Sequence, residues 1–453
     1  MGFSQKMMYM ALFIPCLLSL SLTDSSAIAE ELSKSDHKLD LALTSPFISN
    51  DLDINLILEN HRSAIEQKET EVGPYDPELS ELTFSLGRTL QASQRYDEAI
   101  STYKRSLYLR RINNGIYSLS QEPILRGMIE SHIQQGQVLE ASENYNQLLW
   151  IHVKTYDEND ARLIPLFEEI GQWHLSNYIQ TEQREDRYQL NTAYELYSRA
   201  IELSTQHYGP YNLGLIYLLK NIAITSYYQT LHQRRYPEYT ELGTSVPFGY
   251  RAMGSSGDSL LRQGSYYLYG NSAQNRVLEI LANNPDITST DKAMAHTDQG
   301  DWYMLYGRYQ LAMDAYQQAH QVMKGEEQQK DVIHALFDTP TMLPKIERRK
   351  AINGSLSNNP LSNGSNTPEP TNSIKNSSTL IFKNYVNLSV DVTARGAATN
   401  LKIQEIHPEG ESEFGYRAKR TIRSQKFRPR FENGLPVITN EFPIRVLIPN
   451  ESS

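Results

Sequence analysis

Two distant stretches of this chain are written on one pattern. In Leu86–Leu107, Gly87 is followed twelve residues later by Ala99 and four after that by Tyr103. In Gly300–Ala319, Gly300 is followed twelve residues later by Ala312 and four after that by Tyr316. Both stretches also place a tyrosine three residues before the alanine, Tyr96 and Tyr309. A spacing of this kind constrains the fold more than composition does. A unit that cannot bury its own apolar face must stack on neighbours built the same way. The glycine on one helix and the alanine on the next let two helices cross closely, and the aromatic ring fills the space against the following unit. Residues 50 to 325 are helical in texture, with few alternating runs.

Two further stretches carry parts of the pattern. Gly136, Ala141, Tyr145 and Leu148 match the second half of a unit, with Ile129 where the small residue belongs. Gly171, Ala193, Tyr197 and Ala200 match if Ile179 to Gln189, a polar insert, projects as a loop. Leu213 to Leu231 and Ser259 to Asn283 read as more helices of the array, without an assigned register. The pattern resembles the tetratricopeptide repeat. The resemblance implies a superhelix of stacked hairpins whose groove holds an extended or helical segment of another protein. By that register the groove would present Glu81, Phe84, Arg88 and Gln91 in the first unit, and Thr297, Asp301 and Met304 in the last. Most of the 29 tyrosines recur at helical spacing, which reads as helix packing with the hydroxyl at the wet edge. The alternative is a carbohydrate-stacking surface.

The texture changes near the C-terminus. Val386, Leu388, Val390 and Val392 alternate with polar residues as a half-buried strand does. Arg395-Gly396 marks a turn, and Leu401 and Ile403 begin a second alternating run. Phe414, Ala418 and Ile422 form one stripe of a short helix. A turn at Asn433-Gly434 leads to a last strand with Phe442, Ile444, Val446 and Ile448 on one face. With Phe427-x-Pro429 and Gly434-x-Pro436-Val437 in this order, the segment resembles the C-terminal domain of TonB-type energy transducers. His407-Pro408-Glu409-Gly410 departs from the family pattern before the helix. The resemblance implies a small α+β fold whose last strand is an edge that accepts a partner strand through its backbone. That edge runs from Val437 to Ile448, with Thr439, Glu441 and Arg445 as exposed contributors.

Between the two parts, 21 of the 26 residues from Asn353 to Ser378 are Asn, Gly, Ser, Thr or Pro. Such a stretch has too little apolar surface to order itself, and reads as a tether between independent modules. At the N-terminus, Met7 to Leu22 is an apolar run followed by Ala27-Ile28-Ala29, which reads as a signal peptide cleaved before Glu30. The alternative is an uncleaved anchor. The one cysteine, Cys16, lies inside that run, so a mature chain would have no thiol chemistry. The formal charge of −10 is uneven: from Thr379 onward there are eleven Lys and Arg against eight Asp and Glu. A mildly basic end on an acidic body does not point to nucleic acid. Arg417, Lys419, Arg420, Arg423, Lys426, Arg428 and Arg430 gather around the C-terminal helix. They read either as a solvated face or as a contact for an acidic partner, including the chain's own body.

No His-Glu-x-x-His, Gly-x-Ser-x-Gly or phosphate-loop motif is present, and His132, His152, His174 and His207 stand singly on helices. Gly254-Ser255-Ser256-Gly257 has no following lysine at the right spacing and reads as a loop. The expectation is therefore a mainly α chain in four parts. They are a signal peptide (1–29), a tetratricopeptide-like helical superhelix (50–340), a linker (353–378) and a small α+β, TonB C-terminal-like domain (379–450). The expected role is that of a non-catalytic periplasmic adaptor without cofactor, metal, nucleic acid or small-molecule substrate. Its partners would be proteins of the cell envelope, in the outer membrane or the periplasm. The alternatives are an inner-membrane-anchored energy transducer for outer-membrane transport and a cell-wall enzyme, for which the sequence nominates no carboxylate pair.

Overall fold

The computed structural model describes residues 51–180, 187–236, 266–327, 329–345 and 384–448. The apolar N-terminal run, Gly254–Gly257 and the 353–378 linker lie outside the described residues. A first helix, α1 (Asp51–Val72), is followed by five helical hairpins. They are α2 (Pro77–Ala92) with α3 (Tyr96–Asn114), α4 (Glu122–Gln134) with α5 (Val138–Thr155), and α6 (Ile164–Gln180) with α7 (Arg187–Tyr208). Next come α8 (Leu215–Arg235) with α9 (Tyr266–Ala282), and α10 (Ser289–Leu305) with α11 (Tyr309–Val322). A short α12 (Gln329–Phe337) and strand β1 (Thr341–Leu343) close the array.

Local chemistry sets these boundaries. Asp76 caps α2 by accepting from the Glu78 N–H at 2.9 Å, with Pro77 in the first helical turn. Thr288 and Asp291 cap α10 reciprocally. The turns inside three hairpins superimpose in detail. Gln94, Gly136 and Gly307 are left-handed, with φ of 60°, 73° and 70°. The residues after them, Arg95, Gln137 and Arg308, each send the N–H back to a carbonyl at 2.9 Å, those of Leu90, His132 and Tyr303. Glycine meets that backbone demand at two of the three positions, and Gln94 meets it at a steric cost.

The interlock between helices is a ring on a glycine. A Cβ at Gly87 would lie 2.6 Å from Tyr103, one at Gly171 would lie 3.0 Å from Tyr197, and one at Gly300 would collide with Tyr316. Tyr103 is clamped on its other side too, because a Cβ at Gly127 of the next hairpin would also lie 2.6 Å from the ring. In the second hairpin Ile129 keeps the register position of Gly87 and is buried in the core, while Gly127 serves the ring of the preceding hairpin. Two of the tyrosine hydroxyls, on the interlocking rings, lie inside the fold and not at a wet edge. Tyr103 donates to Gln91 Oε1 at 2.6 Å and Tyr316 to Asp301 Oδ1 at 2.8 Å, and both rings are fully buried.

The expected loop from Ile179 to Gln189 is shorter than its sequence implied. α6 continues to Gln180, α7 begins at Arg187, and residues 181–186 lie outside the described set. Gln189 is buried and accepts from His174 Nδ1 at 2.5 Å. Burial pushes the His174 imidazole down to about 4, so it is a neutral core residue.

The C-terminal domain is a three-stranded antiparallel sheet, order β3–β2–β7, made by β2 (Asn384–Val392), β3 (Ala398–His407) and β7 (Thr439–Ile448). Helix α13 (Ser412–Ser424) lies across it. Val386, Leu388, Val390 and Val392 fall on the face covered by Ala418, Ile422 and Phe427. Two short pieces complete it, β4 (Lys426–Arg428) and the hairpin of β5 (Arg430–Glu432) with β6 (Leu435–Val437). Asn433 and Gly434, both at positive φ, make that hairpin's turn.

The domain does not stand apart from the array. β4 pairs with β1, and Thr341 lies opposite Arg428. Phe431 belongs to the array's core, its ring 5.0 Å from Phe337 and 5.4 Å from Tyr316. Gly396 seats its backbone against Met304, where a Cβ would come within 2.6 Å of the methionine methyl. The expected independence of two tethered modules is therefore corrected. The sheet and α13 keep an apolar core of their own, and the small domain docks on the array by placing Phe431 in the array's core and pairing β4 with β1.

Candidate interaction surfaces

The first helices of successive hairpins lie side by side, and ion pairs join their faces. Arg126 of α4 binds Glu122 on its own helix at 2.8 Å and Glu169 of α6 at 2.7 Å. Lys220 of α8 binds Asp298 of α10 at 2.7 Å. Glu122 also accepts from His152 at 3.0 Å, and this bond is the main reason its carboxyl is pulled down to about 2. The result is a half-buried, mixed-charge face along the array.

The groove positions expected from the sequence divide into two groups. In the first hairpin, Glu81 and Arg88 are exposed, while Phe84 and Gln91 are half-buried. Glu81 is paired with Arg110 at 2.5 Å, the Phe84 ring is 5.9 Å from Tyr103, and Gln91 holds the Tyr103 hydroxyl. In the last hairpin, Thr297, Asp301 and Met304 are all buried. Thr297 donates to the Ala293 carbonyl within its own helix, at 2.8 Å. Asp301 and Met304 face the chain's own C-terminal domain, so these three positions are not open to a partner in this conformation.

Asp301 is the electrostatic centre of that contact. Arg428 Nη1 lies 3.1 Å from its Oδ2, and the two side chains are 5% and 9% exposed. The other Arg428 amino group donates to Thr341 Oγ1 at 3.1 Å, and the guanidinium sits 5.7 Å from the centre of the Phe337 ring. Burial pushes the Asp301 carboxyl up to about 6, against the opposing pull of Arg428. Sequence reasoning grouped Arg428 with the basic residues around α13, because nothing local distinguishes it from Arg430. Each of the two arginines stands between a phenylalanine and Pro429, so only the fold shows which one is buried.

The C-terminal sheet offers a second surface. Among the described residues β7 pairs only with β2, so its far side is a strand edge. Val437 is not part of it, because it pairs with Arg430 in the β5–β6 hairpin. Thr439 opens β7 opposite Val392. Glu441 is exposed but sits in a left-handed bulge, paired with Lys402 at 2.9 Å, and its N–H is given to Asp391 at 2.8 Å. Arg445 is exposed and donates to Asn387 Oδ1 at 2.8 Å, with its guanidinium 4.3 Å from the Tyr385 ring centre. Pro443, opposite Ser389, has no N–H for the ladder, so its nitrogen faces outward. The unbroken register then turns the backbone groups of Arg445 and Leu447 outward as well. The bulge and the proline blunt the first half of the edge, and the second half is usable.

No family model matches the chain, and no curated protein matches it. Among solved structures, two crystal structures of a putative kinesin light chain with nearly identical TPR-like repeats, from Podosopora anserina, are 13% identical. Their TM-scores are 0.36 and 0.37, covering 55% and 56% of this chain and 95% and 98% of those chains. BtubC (BKLC) from P. vanneervenii is 14% identical with a TM-score of 0.33, covering 68% of this chain and 97% of that one. At these values the likeness says nothing about function. The tetratricopeptide-like architecture stands on the hairpins, their repeated turns and the ring-on-glycine contacts. Among the described residues, no group of three or more His, Cys, Asp or Glu is placed to hold a metal ion. No described helix is long and apolar enough to cross a membrane.

Proposed function

We propose that this chain is a protein-binding adaptor of the cell envelope, delivered to the periplasm by a cleaved N-terminal signal. It binds partners along the first helices of the array and along the β7 edge. The observation that supports this reading is a strand edge, unpaired among the described residues, on a domain docked to a helical array through Phe431 and β4. Main-chain pairing at such an edge draws affinity from N–H and C=O groups and asks little of side chains. The array's mixed-charge face supplies selectivity through electrostatic complementarity. A partner engaging both surfaces gains from their fixed separation, since the second contact forms at high effective concentration.

A photo-cross-linking residue at Arg445 or Arg88 of the full chain, used in native cells, tests this. Both positions are expected to capture protein, and Leu447→Pro, which removes an outward donor, is expected to abolish capture at Arg445 only. Capture that ignores Leu447→Pro would refute the strand-addition mode. A second reading, a TonB-like energy transducer, draws on the order of strands and helix around β7. It requires an inner-membrane anchor. The mass and fraction of the native protein separate the two: a chain beginning at Glu30 in the soluble periplasm supports the adaptor, and a full-length chain in the inner membrane supports the transducer.

A further inference from the structure

The last hairpin presents its groove positions to something already, and that something is part of the same chain. Asp301 follows the interlocking Gly300 as Arg88 follows Gly87 and Gln172 follows Gly171. It therefore stands at the register position that carries a polar side chain in those two hairpins. Here the position is filled by Arg428, carried on an extended strand that pairs with β1 and is anchored by Phe431 three residues on. Main-chain pairing of an extended segment, with pockets that take particular side chains, is a recurrent way of holding a peptide.

The occupant does not fit its seat fully. Arg428 Nε is buried and has no hydrogen-bond partner among the described residues. Beside Asp301 a cavity of about 50 Å³ remains, bounded by Lys220, Asp298, Trp302, Pro344 and Lys345. The Trp302 indole N–H, also buried, has no acceptor among the described residues. A site built only to lock the small domain in place would gain by closing this space and satisfying both donors. The buried ion pair itself adds little net stability, because desolvation offsets its attraction, but it strongly selects for an arginine over a neutral side chain.

We infer that the face formed by α10 and β1 is a recognition site for an arginine-bearing extended strand of a protein partner, which the β4–β5 segment fills in cis. It rests on the reading of the helical face as a protein-binding surface. A partner strand with an arginine and a large apolar residue three positions later competes with the C-terminal domain. An acceptor on that strand, reaching the cavity, takes the Trp302 N–H. Partner binding at this site and docking of the C-terminal domain exclude one another.

The test titrates a labelled peptide spanning Ser424 to Gly434 against the full-length chain. The wild type, with its site filled, is expected to bind weakly. Arg428→Ala and, separately, Phe431→Ala open the site and are expected to bind roughly tenfold or more tightly, because a larger fraction of the site is free. A peptide with alanine in place of the arginine equivalent to Arg428 is expected to lose that gain, as is Asp301→Asn in the Arg428→Ala background. Equal binding to wild type and both opened variants, no binding to either, or binding that ignores Asp301 would overturn the inference. The titration does not involve the β7 edge. Failure here leaves the edge reading standing, and loss of cross-links at the edge leaves this one standing.

Discussion

Tyr103 is held between two glycines on neighbouring hairpins, and this clamp makes a quantitative claim. Adding one carbon at Gly127 puts a Cβ 2.6 Å from the ring, where ordinary contact begins at 3.4 Å, so the ring must give by about 0.8 Å. It has nowhere to go. Gly87 closes the opposite side at the same 2.6 Å, and Gln91 holds the hydroxyl at 2.6 Å. Overpacking of this kind costs about 1–3 kcal/mol. Glycine to alanine in a helix returns about 1 kcal/mol of propensity. Gly127→Ala is therefore expected to destabilise the array by up to about 2 kcal/mol, a fall in Tm of up to about 4–8 °C for a unit this size. The decisive comparison is in a Tyr103→Leu background. With the ring gone the clash is gone, and the same Gly127→Ala change is expected to be neutral or to stabilise by up to about 1 kcal/mol. Thermal and urea unfolding, followed by far-UV circular dichroism, measure both. A Gly127→Ala change that is neutral or stabilising in the presence of Tyr103 would show that the ring is not clamped, and the interlock would have to be abandoned.

Three further outcomes follow from the geometry. Gln94→Gly relieves a left-handed side chain and is expected to raise stability by about 1 kcal/mol, while Gly136→Ala at the matching turn lowers it; equal effects would mean the two turns differ. Phe431→Ala should cost about 3–5 kcal/mol and raise amide exchange in α11 and α12 as well as in the C-terminal sheet; a change confined to the sheet would separate the two cores. Asp301 carries a folded-state pKa of about 6, raised from 3.8, so its contribution is complete below the lower value and is lost as pH rises through the upper one. Relative to wild type, Asp301→Asn should thus gain up to about 3 kcal/mol between about pH 4 and pH 7, and a flat difference would place the carboxyl near its ordinary value.

Much of this architecture is legible in the residues because it repeats. Gly87 with Tyr103 and Gly300 with Tyr316 are read from spacing, since the same steric problem is solved twice with the same residues. Gly127 escapes because it serves the ring of the preceding hairpin, so its distance to Ala141 in its own hairpin carries no signal. The strands of the C-terminal sheet announce themselves through alternation, and Asn433-Gly434 through its turn chemistry. The docking contact is hidden for another reason. Asp301 and Arg428 are far apart in sequence, and each looks locally like a solvated charge. Only the assembled core around Phe431 shows that one buries the other. Asp301 and Met304 are lost from the groove list for the same reason, because register predicts a face and cannot predict what covers it, and Thr297 is lost because it is buried with its hydroxyl bonded inside its own helix.

The Asp301–Arg428 contact spans 127 residues of chain. At typical synthesis rates of about 5–20 residues per second, about 6–25 s pass between the emergence of the aspartate and that of its arginine. During that interval the last hairpin has its helices but not its lid. Met304, Leu343 and the Phe337 ring wait for Gly396, β4 and Phe431 to arrive. Asp301 is meanwhile solvated and carries no penalty. The nascent chain thus presents an open acidic seat flanked by apolar side chains until its own final segment is made, and that interval is when another strand of like chemistry meets least competition.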